Sequence, residues 1–424
     1  MQAESDIEAL AGDGKVKIYI ESYGCTRRKL DATKFHTYFS LNGYHIVDNP
    51  EEADYILVTT CAFKKAEEEH SLSVVDGLKK YKAKVLVYGC LPDIAPEKYH
   101  KIADYQYLST KNIHDIDRYF EGIRYPFSDI RDANRIPVDI KHTSWAEAVV
   151  KFFKEFEFSP IFLTRVATYL YNRTKRKGTG YYLSTSRGCL GRCSYCAIRY
   201  AVGTIRSKPI DTVLREFLEG FEAGHRNFIL VGDDVGAYGI DRGERFPQLL
   251  SRLIDEVEKL DSGTPPASRH SSRTRLHVEE IHPKWLVLYG DELAGLLSSH
   301  AIKSILCPVQ SGNDRVLGLM EREHDAVSAR TAIAKIRAAN PDVSLTTQII
   351  VGFPTETEQE FEDTLRHLED TRFDDVIVFP YDDKENTIAS GIYPKVPENV
   401  IQARVKKACY HLRKKGIRAY LSCQ

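Results

Sequence analysis

Short β-rich runs alternate with amphipathic helical stretches along two long tracts of this 424-residue sequence. Such alternation commits a chain to parallel sheets with helices packed on their faces. In the first tract, "VKIYIES" reads as a strand and is followed by a helical stretch from about Arg28 to Leu41. "DYILVTT" is the next strand, then the charged helix "KKAEEEHSLSVVDGLKKY", then the strand "KVLVYG". From Tyr181 the pattern returns, with strands at "YYLSTS", "NFILVGDD", "RTRLHVEE", "IKSILCPV", "VSLTTQIIVGF" and "DDVIVFPY" and helical spans between most of them.

The fold class expected is therefore α/β, in two units. Residues 15–120 have the dimensions of a flavodoxin-like parallel-sheet domain. Residues 181–395 hold about six βα units, which fits a partial (β/α)6 barrel better than a closed barrel of eight. Between them, residues 121–180 are rich in aromatics at helical spacing, broken at Ser159-Pro160, and read as a two-helix insertion or linker. "DSGTPPASRHSSR" is a loop by composition. Residues 396–424 read as one long basic amphipathic helix, and residues 1–14 as a disordered, frayed terminus.

Bulk composition excludes little but directs the search. The formal net charge of -1 exerts no global pull towards nucleic acid or an anionic membrane. No apolar stretch approaches the roughly 18 residues of a membrane span, and no secretory leader is present, so a cytoplasmic protein without membrane partners is expected. Nine cysteines in such a chain point to metal or catalysis rather than disulfides.

Three of those cysteines stand within eight positions, in "RGCLGRCSYCAIRY". Cys189, Cys193 and Cys196 follow a CxxxCxxC spacing, shaped by Gly188 and Gly191 into a loop just after a strand. Zinc commonly takes four ligands, as two CxxC pairs or with histidines, and no histidine lies between Tyr181 and Gly224. A four-iron cluster takes one protein ligand per iron, so three thiolates leave one iron open to a reactant. Buried filler thiols, or a zinc completed by a distant residue, are the weaker readings.

Cys25, Cys61 and Cys90 each follow directly on a predicted strand, in "ESYGCTRRKLD", "LVTTCAFKKAEEE" and "LVYGCLPD". The carboxyl ends of neighbouring strands in an open parallel sheet face one crevice. These three thiols are thus expected to converge as a second trio, although about 30 residues separate each from the next.

CxxxCxxC with an aromatic before the last cysteine resembles the signature of radical S-adenosylmethionine (SAM) enzymes. That resemblance implies a [4Fe–4S] cluster on Cys189, Cys193 and Cys196, with SAM chelating the open iron and being cleaved to methionine and a 5′-deoxyadenosyl radical. The pairing of two trios is similar to one subfamily, the radical SAM methylthiotransferases that modify transfer RNA or a ribosomal protein. "YGC", "TCAFKKAEEE", "YGCLPD", "SRGCLGRCSYCAIRYAVGTIRSKP", "VGDDVGAYG", "CPVQSGNDRVLGLM" and "IIVGFPTETEQEFEDT" carry the likeness, over roughly residues 15–110 and 181–420. It implies a second [4Fe–4S] cluster on Cys25, Cys61 and Cys90 that offers sulfur, and an electron donor such as a flavodoxin or ferredoxin. The expected activity is insertion of sulfur, as thiol or methylthio, into an unactivated C–H bond by an enzyme acting as a monomer.

Several stretches depart from the family pattern. No counterpart of its C-terminal RNA-binding β-barrel, called TRAM, is recognisable. The contexts of the first two N-terminal cysteines, asparagine-bearing in the family, are here "CTRRKLDA" and "TTC". "PYDDKENTIAS" replaces a stretch that usually carries arginine and Gly-Thr, and its acidic pair Asp382 and Asp383 suits an amine or hydroxyl substrate better than phosphates. A small molecule, peptide or protein is therefore the expected substrate, with transfer RNA as the alternative. The rivals are a redox enzyme whose second cluster only relays electrons, and a zinc-stapled nucleic-acid-binding protein.

Other residues complete the expected site. Tyr195 either contacts adenine or packs. Gly232 and Asp233 end a strand at the barrel mouth, where Asp233 or Asp234 could bind the SAM amino group or cap the loop. Gln310 and Ser311 are expected to touch SAM or substrate. Thr357 and Glu360 have capping-box spacing, and "VGFPTETEQE" is no phosphate loop. Arg173, Lys175, Arg176 and Lys177 form a basic run that reads as a solvated face, with RNA contact the lesser reading. Cys307 reads as core, and Cys409 and Cys423 as bystanders.

Overall fold

The computed structural model describes residues 16–136, 180–262, 273–296 and 299–422. The predicted helices of the insertion, its basic run, the N-terminal fifteen residues and Cys423 lie outside the described residues.

Five parallel strands form the N-terminal sheet: β1 (Lys17–Glu21), β2 (His45–Ile46), β3 (Tyr55–Thr60), β4 (Lys84–Gly89) and β5 (Gln106–Ser109), in the order β2-β1-β3-β4-β5. That is the doubly wound flavodoxin-like order. Central β3 is buried along nearly its whole length, as its unbroken apolar run requires when helices cover both faces. α1 (Thr26–Leu41) brings Phe35, Tyr38 and Phe39 fully into the core on one face. Each such side chain contributes roughly 1.5–3 kcal/mol of burial. On the other face, α2 (Lys65–Gly77) contributes Val75 to a core that also takes in Ala197 and Ala201, just beyond the central cysteine loop. The edge strands β2 and β5 escaped the sequence reading because one is two residues long and the other is half exposed.

The second sheet has seven strands. β6 (Tyr181–Ser184) is followed by the small antiparallel pair β7 (Ser186–Arg187) and β8 (Arg206–Ser207). Then come α3 (Ile210–Glu222), β9 (Asn227–Val231), α4 (Phe246–Ser262), β10 (Arg275–Val278), β11 (Ile302–Leu306), α5 (Ala326–Ala339), β12 (Ser344–Val351), α6 (Glu358–Thr371), β13 (Asp375–Pro380), α7 (Glu398–Lys414) and β14 (Arg418–Leu421). All six neighbouring pairs in the order β14-β13-β12-β11-β10-β9-β6 are parallel. The six expected βα units are present as a partial barrel. β12 alternates half-buried and buried residues throughout its eight positions, and its buried Leu345, Ile349 and Val351 share a core with Phe361 and Leu365 of α6. α6 opens on the expected capping box of Thr357 and Glu360.

One expectation is corrected. The C-terminal stretch is not a single helix, because α7 stops at Lys414 and the chain returns as β14 to pair with β13. Gly416 takes φ +79°, a left-handed conformation that ends a helix at no steric cost, and Gly416 N–H closes on Arg413 O at 3.1 Å.

Gly89 shows how tightly the N-terminal sheet ends are specified. Its φ is +131°, and a Cβ there would stand 2.3 Å from Thr60 O. Gly89→Ala is expected to destabilise the protein by at least about 2 kcal/mol, from backbone strain and overpacking together. Urea unfolding of the metal-free protein measures it, and an unchanged midpoint would contradict this account of the strand end.

Candidate active site between the two domains

Three neighbouring strands of the N-terminal sheet end on cysteines. Cys25 follows β1 and takes the N-cap position of α1, Cys61 follows β3, and Cys90 follows β4. Thr60 lies opposite Gly89, so Cys61 and Cys90 leave the sheet side by side, and Cys90 N–H donates to Thr60 O at 3.2 Å. Tyr23 N–H donates to Thr59 Oγ1 (2.7 Å) and the Thr59 hydroxyl donates back to Tyr23 O (2.8 Å), which clasps the Cys25 loop against β3. A Cβ on Gly24 would stand 3.1 Å from Cys61 Cβ, so the first two cysteine loops touch. Burial pushes the Cys61 thiol up to about 11, aided by Cys25, and pushes Cys90 up further. The buried Arg28 guanidinium opposes both rises.

The barrel trio lies on the loop after β7. Gly188 has φ +86°, and a Cβ there would meet Thr204 O at 2.0 Å, so the close crossing of these two loop strands requires glycine. Each thiol faces a donor. Gly191 N–H donates to Cys189 Sγ at 3.2 Å, and Arg322 Nη1 donates to Cys193 Sγ at 3.2 Å. The N–H groups of Ile198 and Arg199 face Cys196. Burial nevertheless pushes Cys189 up to about 12 and Cys196 up to about 11. Bare thiols of this kind are protonated at neutral pH, and metal binding displaces the protons.

That gives a pH dependence with a definite sign. The unfolded thiols ionise near about 8.5, whereas folded Cys61, Cys189 and Cys196 hold their protons up to about 11 to 12. The folded state binds more protons in that window, so stability of the metal-free protein is expected to be full below about 8.5 and to fall as pH rises through it. Urea midpoints at about pH 7.5 and about pH 10 test this, and a midpoint that stays level or rises would contradict it.

A polar chain joins the two trios. Two residues past Cys25, Arg27 donates from Nη1 to Gly232 O (2.8 Å) and pairs through Nε with Asp233 Oδ1 (3.0 Å). Asp233 Oδ2 accepts from Gly188 N–H (2.8 Å), next to Cys189. The loops of Cys25 and Cys189 are thus linked across the boundary between the domains. Among the described residues no three His, Cys, Asp or Glu side chains are gathered as donors to a single metal ion. A four-iron cluster instead takes its thiolates at separate irons. Soft thiols with N–H and guanidinium donors aimed at the sulfurs fit such a cluster.

The remaining expected residues fall into place unevenly. Tyr195 packs on the small cluster of Val316, Met320, Phe353 and Ala389, and its hydroxyl accepts from Arg322 Nη1 at 3.3 Å. Gly232 lies against Ser186, where a Cβ would stand 3.0 Å from the hydroxyl oxygen. Asp234 accepts from Trp285 Nε1 at 2.7 Å, and burial holds its carboxyl above the usual range. Gln310 is held at φ +68° by a bridge to Ile349, and its Oε1 is buried with no hydrogen-bond partner. The Ser311 hydroxyl is within 3.2 Å of Thr364 Oγ1 and accepts from Asn313 N–H at 3.2 Å, which ties down the loop. Cys307 lies in the barrel core, as expected.

Asp382 and Asp383 do not stand free towards a substrate. Asp382 pairs with Lys384 at 3.0 Å and Asp383 with Lys395 at 2.9 Å. Lys384 is itself buried against Glu68 of α2 at 2.8 Å, so this stretch braces the two domains. The repulsion of phosphate inferred from the acidic pair is thereby weakened, although Lys384 is shared between Asp382 and Glu68.

Sequence reasoning missed four arginines. Arg322 donates to Cys193 across 129 positions, and Arg27, Arg28 and Arg187 meet Asp233 and Asp31 between the domains. Only the departure at "CTRRKLDA" hinted at them.

Comparison with known proteins agrees with this geometry. Residues 183–368 match the radical SAM superfamily, and residues 17–109 match a family described as "Uncharacterized protein family UPF0004". A tRNA-2-methylthio-N(6)-dimethylallyladenosine synthase of Xanthomonas oryzae pv. oryzae is 30% identical over 414 residues, spanning 93% of this chain and 77% of that protein.

The chain belongs to the radical SAM methylthiotransferase family.

A probable threonylcarbamoyladenosine tRNA methylthiotransferase of Pyrococcus horikoshii is 27% identical over 92% of this chain and 82% of its own. Among solved structures, the radical SAM methyltransferase TsrM of Kitasatospora setae has a TM-score of 0.57 at 13% identity, over 86% of this chain and 75% of that one. This last likeness is of fold alone. As a radical SAM methylthiotransferase the protein is an enzyme whose family uses SAM and a [4Fe–4S] cluster. Among the described residues no helix is long and apolar enough to cross a membrane.

Proposed function

We propose that this methylthiotransferase acts on transfer RNA, placing a methylthio group on an N6-modified adenosine. The small-molecule or protein substrate expected from the acidic pair gives way for two reasons. Asp382 and Asp383 are each paired with a lysine, and the relatives described above are named for tRNA adenosines bearing N6 groups. One observation supports the sulfur-inserting chemistry: the loops that carry two cysteine trios, on separate domains, are joined by Arg27, Asp233 and Gly188.

On this reading Cys189, Cys193 and Cys196 hold one [4Fe–4S] cluster and Cys25, Cys61 and Cys90 hold another. When bound, the first cluster with SAM supplies one-electron cleavage chemistry and the second supplies sulfur. The protein's own residues position and exclude. Gly191 and Arg322 direct donors at sulfur, which tunes a cluster's potential. Gly188, oriented by Asp233, sets the first cysteine of the loop. Gln310 offers a buried, free acceptor at the barrel mouth, suited to the amino group of SAM. Packing of Ala197 and Ala201 against the N-terminal core closes the site from water on that side.

The test is nucleoside mass spectrometry. Protein reconstituted with iron and sulfide, given SAM, a reductant and tRNA, is expected to raise the mass of an N6-modified adenosine by sulfur plus CH2. Product without sulfur gain would instead favour the electron-relay rival. No change in any tRNA nucleoside would overturn the tRNA assignment.

A further inference from the structure

We propose that the inter-domain cleft holds a binding site for a small monoanion, hydrosulfide, distinct from both cysteine trios and fed from the surface by a cationic vestibule. This rests on the sulfur-inserting reading above, because each turnover that consumes sulfur requires its replacement.

The inner site is a cavity of about 20 Å³, room for one species of roughly water's size. Arg27, Arg28 and Arg187 line it, with Asp31 and Asp233. Two of its polar atoms are buried without a hydrogen-bond partner: Arg28 Nε, on a side chain 3% exposed, and Ser186 Oγ, on one 5% exposed. Buried donors are ordinarily satisfied, so two orphaned ones on residues that line the same void call for an acceptor. The other guanidinium atoms of Arg28 are engaged, Nη1 with Tyr88 OH (3.1 Å) and Nη2 with Asp31 (3.3 Å). Arg187 also pairs with Asp31, and Arg27 with Asp233. Three arginines and two aspartates are the charged groups of the cavity wall, with Glu280 also acting on Arg27 and Asp132 on Arg187 from behind it. A small anion accepting from Arg28 Nε and Ser186 Oγ in this arginine-lined void would satisfy both donors.

The route is visible as well. A cavity of about 510 Å³ adjoins the inner site and shares Thr110, Ser184, Ser186 and Arg187 with it. Seven lysine and arginine side chains line this vestibule against four carboxylates. A cleft lined by excess positive charge raises the local concentration of anions and their rate of entry. The size of the inner site rejects phosphate and nucleotides. Among small monoanions, hydrosulfide is the one the reaction uses, since hydrogen sulfide loses its first proton near neutrality. The site lies where delivery is needed: Arg28 acts electrostatically on Cys61 and Cys90, and Arg27 leads through Asp233 to the loop of Cys189.

Bromide, a monoanion of similar size, is a direct probe. Crystals of the full chain soaked in bromide are expected to show an anomalous peak in contact with Arg28 Nε and Ser186 Oγ, and to lose it on addition of hydrosulfide. No peak there overturns the site, and a peak that hydrosulfide leaves in place overturns the assigned occupant. For the route, the exposed vestibule pair Arg206→Glu/Arg215→Glu is expected to slow uptake of radiolabelled sulfide several-fold at low salt, with the difference erased at high salt. Equal uptake at low salt overturns the vestibule. Iron content separates this from the two-cluster reading: about four irons per chain would end that reading, while the bromide result still decides the anion site.

Discussion

Replacing Cys189, Cys193 and Cys196 together by alanine is expected to lower iron from about eight to about four atoms per chain and to abolish 5′-deoxyadenosine formation. The three thiols share one glycine-shaped loop, and each faces its own N–H or guanidinium donor. No neighbouring group can take over their role, because the nearby carboxylates Asp233 and Asp234 are already committed to Gly188 and Trp285. Iron analysis of anaerobically reconstituted protein and chromatography of the SAM products measure both effects. Deoxyadenosine released at the wild-type rate would refute the barrel trio as the SAM-cleaving centre. Zinc in place of iron would return the chain to the nucleic-acid-binding rival.

The converse variants carry the second large effect. Cys61→Ala or Cys90→Ala is expected to leave deoxyadenosine formation in place while sulfur-bearing product falls by about three orders of magnitude or more, as when a group that makes or breaks bonds is deleted. Cys61 and Cys90 leave adjacent strands side by side and are both buried. Removing one therefore opens a gap in a set that the sheet register alone assembles. Mass spectrometry of the product, set against SAM turnover in the same sample, separates the two activities. Equal sulfur insertion in these variants would show that sulfur comes from elsewhere. Loss of both activities together would make the N-terminal trio a condition for SAM cleavage rather than a sulfur source.

Much of the fold was legible because it is written in local pattern. Unbroken apolar runs such as "YILVTT" announce strands buried on both faces, and β3 is one. The two edge strands and β14 carry little of that signal. β2 has two residues, β5 is half exposed, and β14 follows a basic helix from which only Gly416 parts it. The two cysteine trios were legible for different reasons. One is a matter of spacing within a loop, and the other of three strands ending alike.

The acidic pair shows the limit. Asp382 and Asp383 read as negative charge facing a substrate, yet the fold sets Lys384 and Lys395 beside them. Lys384 reaches Glu68 across 316 positions. Sequence counts charges, but only the folded chain shows which of them are cancelled.

What the sequence alone determined is the repeat of strand and helix, three thiols spaced within one loop and three more just after strands, and hence the class of chemistry. Side-chain periodicity and loop spacing are local properties, and local order already encodes them. Tertiary structure alone decided that Arg322 meets Cys193, that Arg27 ties the loop of one trio to that of the other, and that Arg28 and Ser186, each with an unpartnered buried atom, line one void. Those contacts join residues far apart in the chain, and their energies depend on burial and distance, which no stretch of sequence carries by itself.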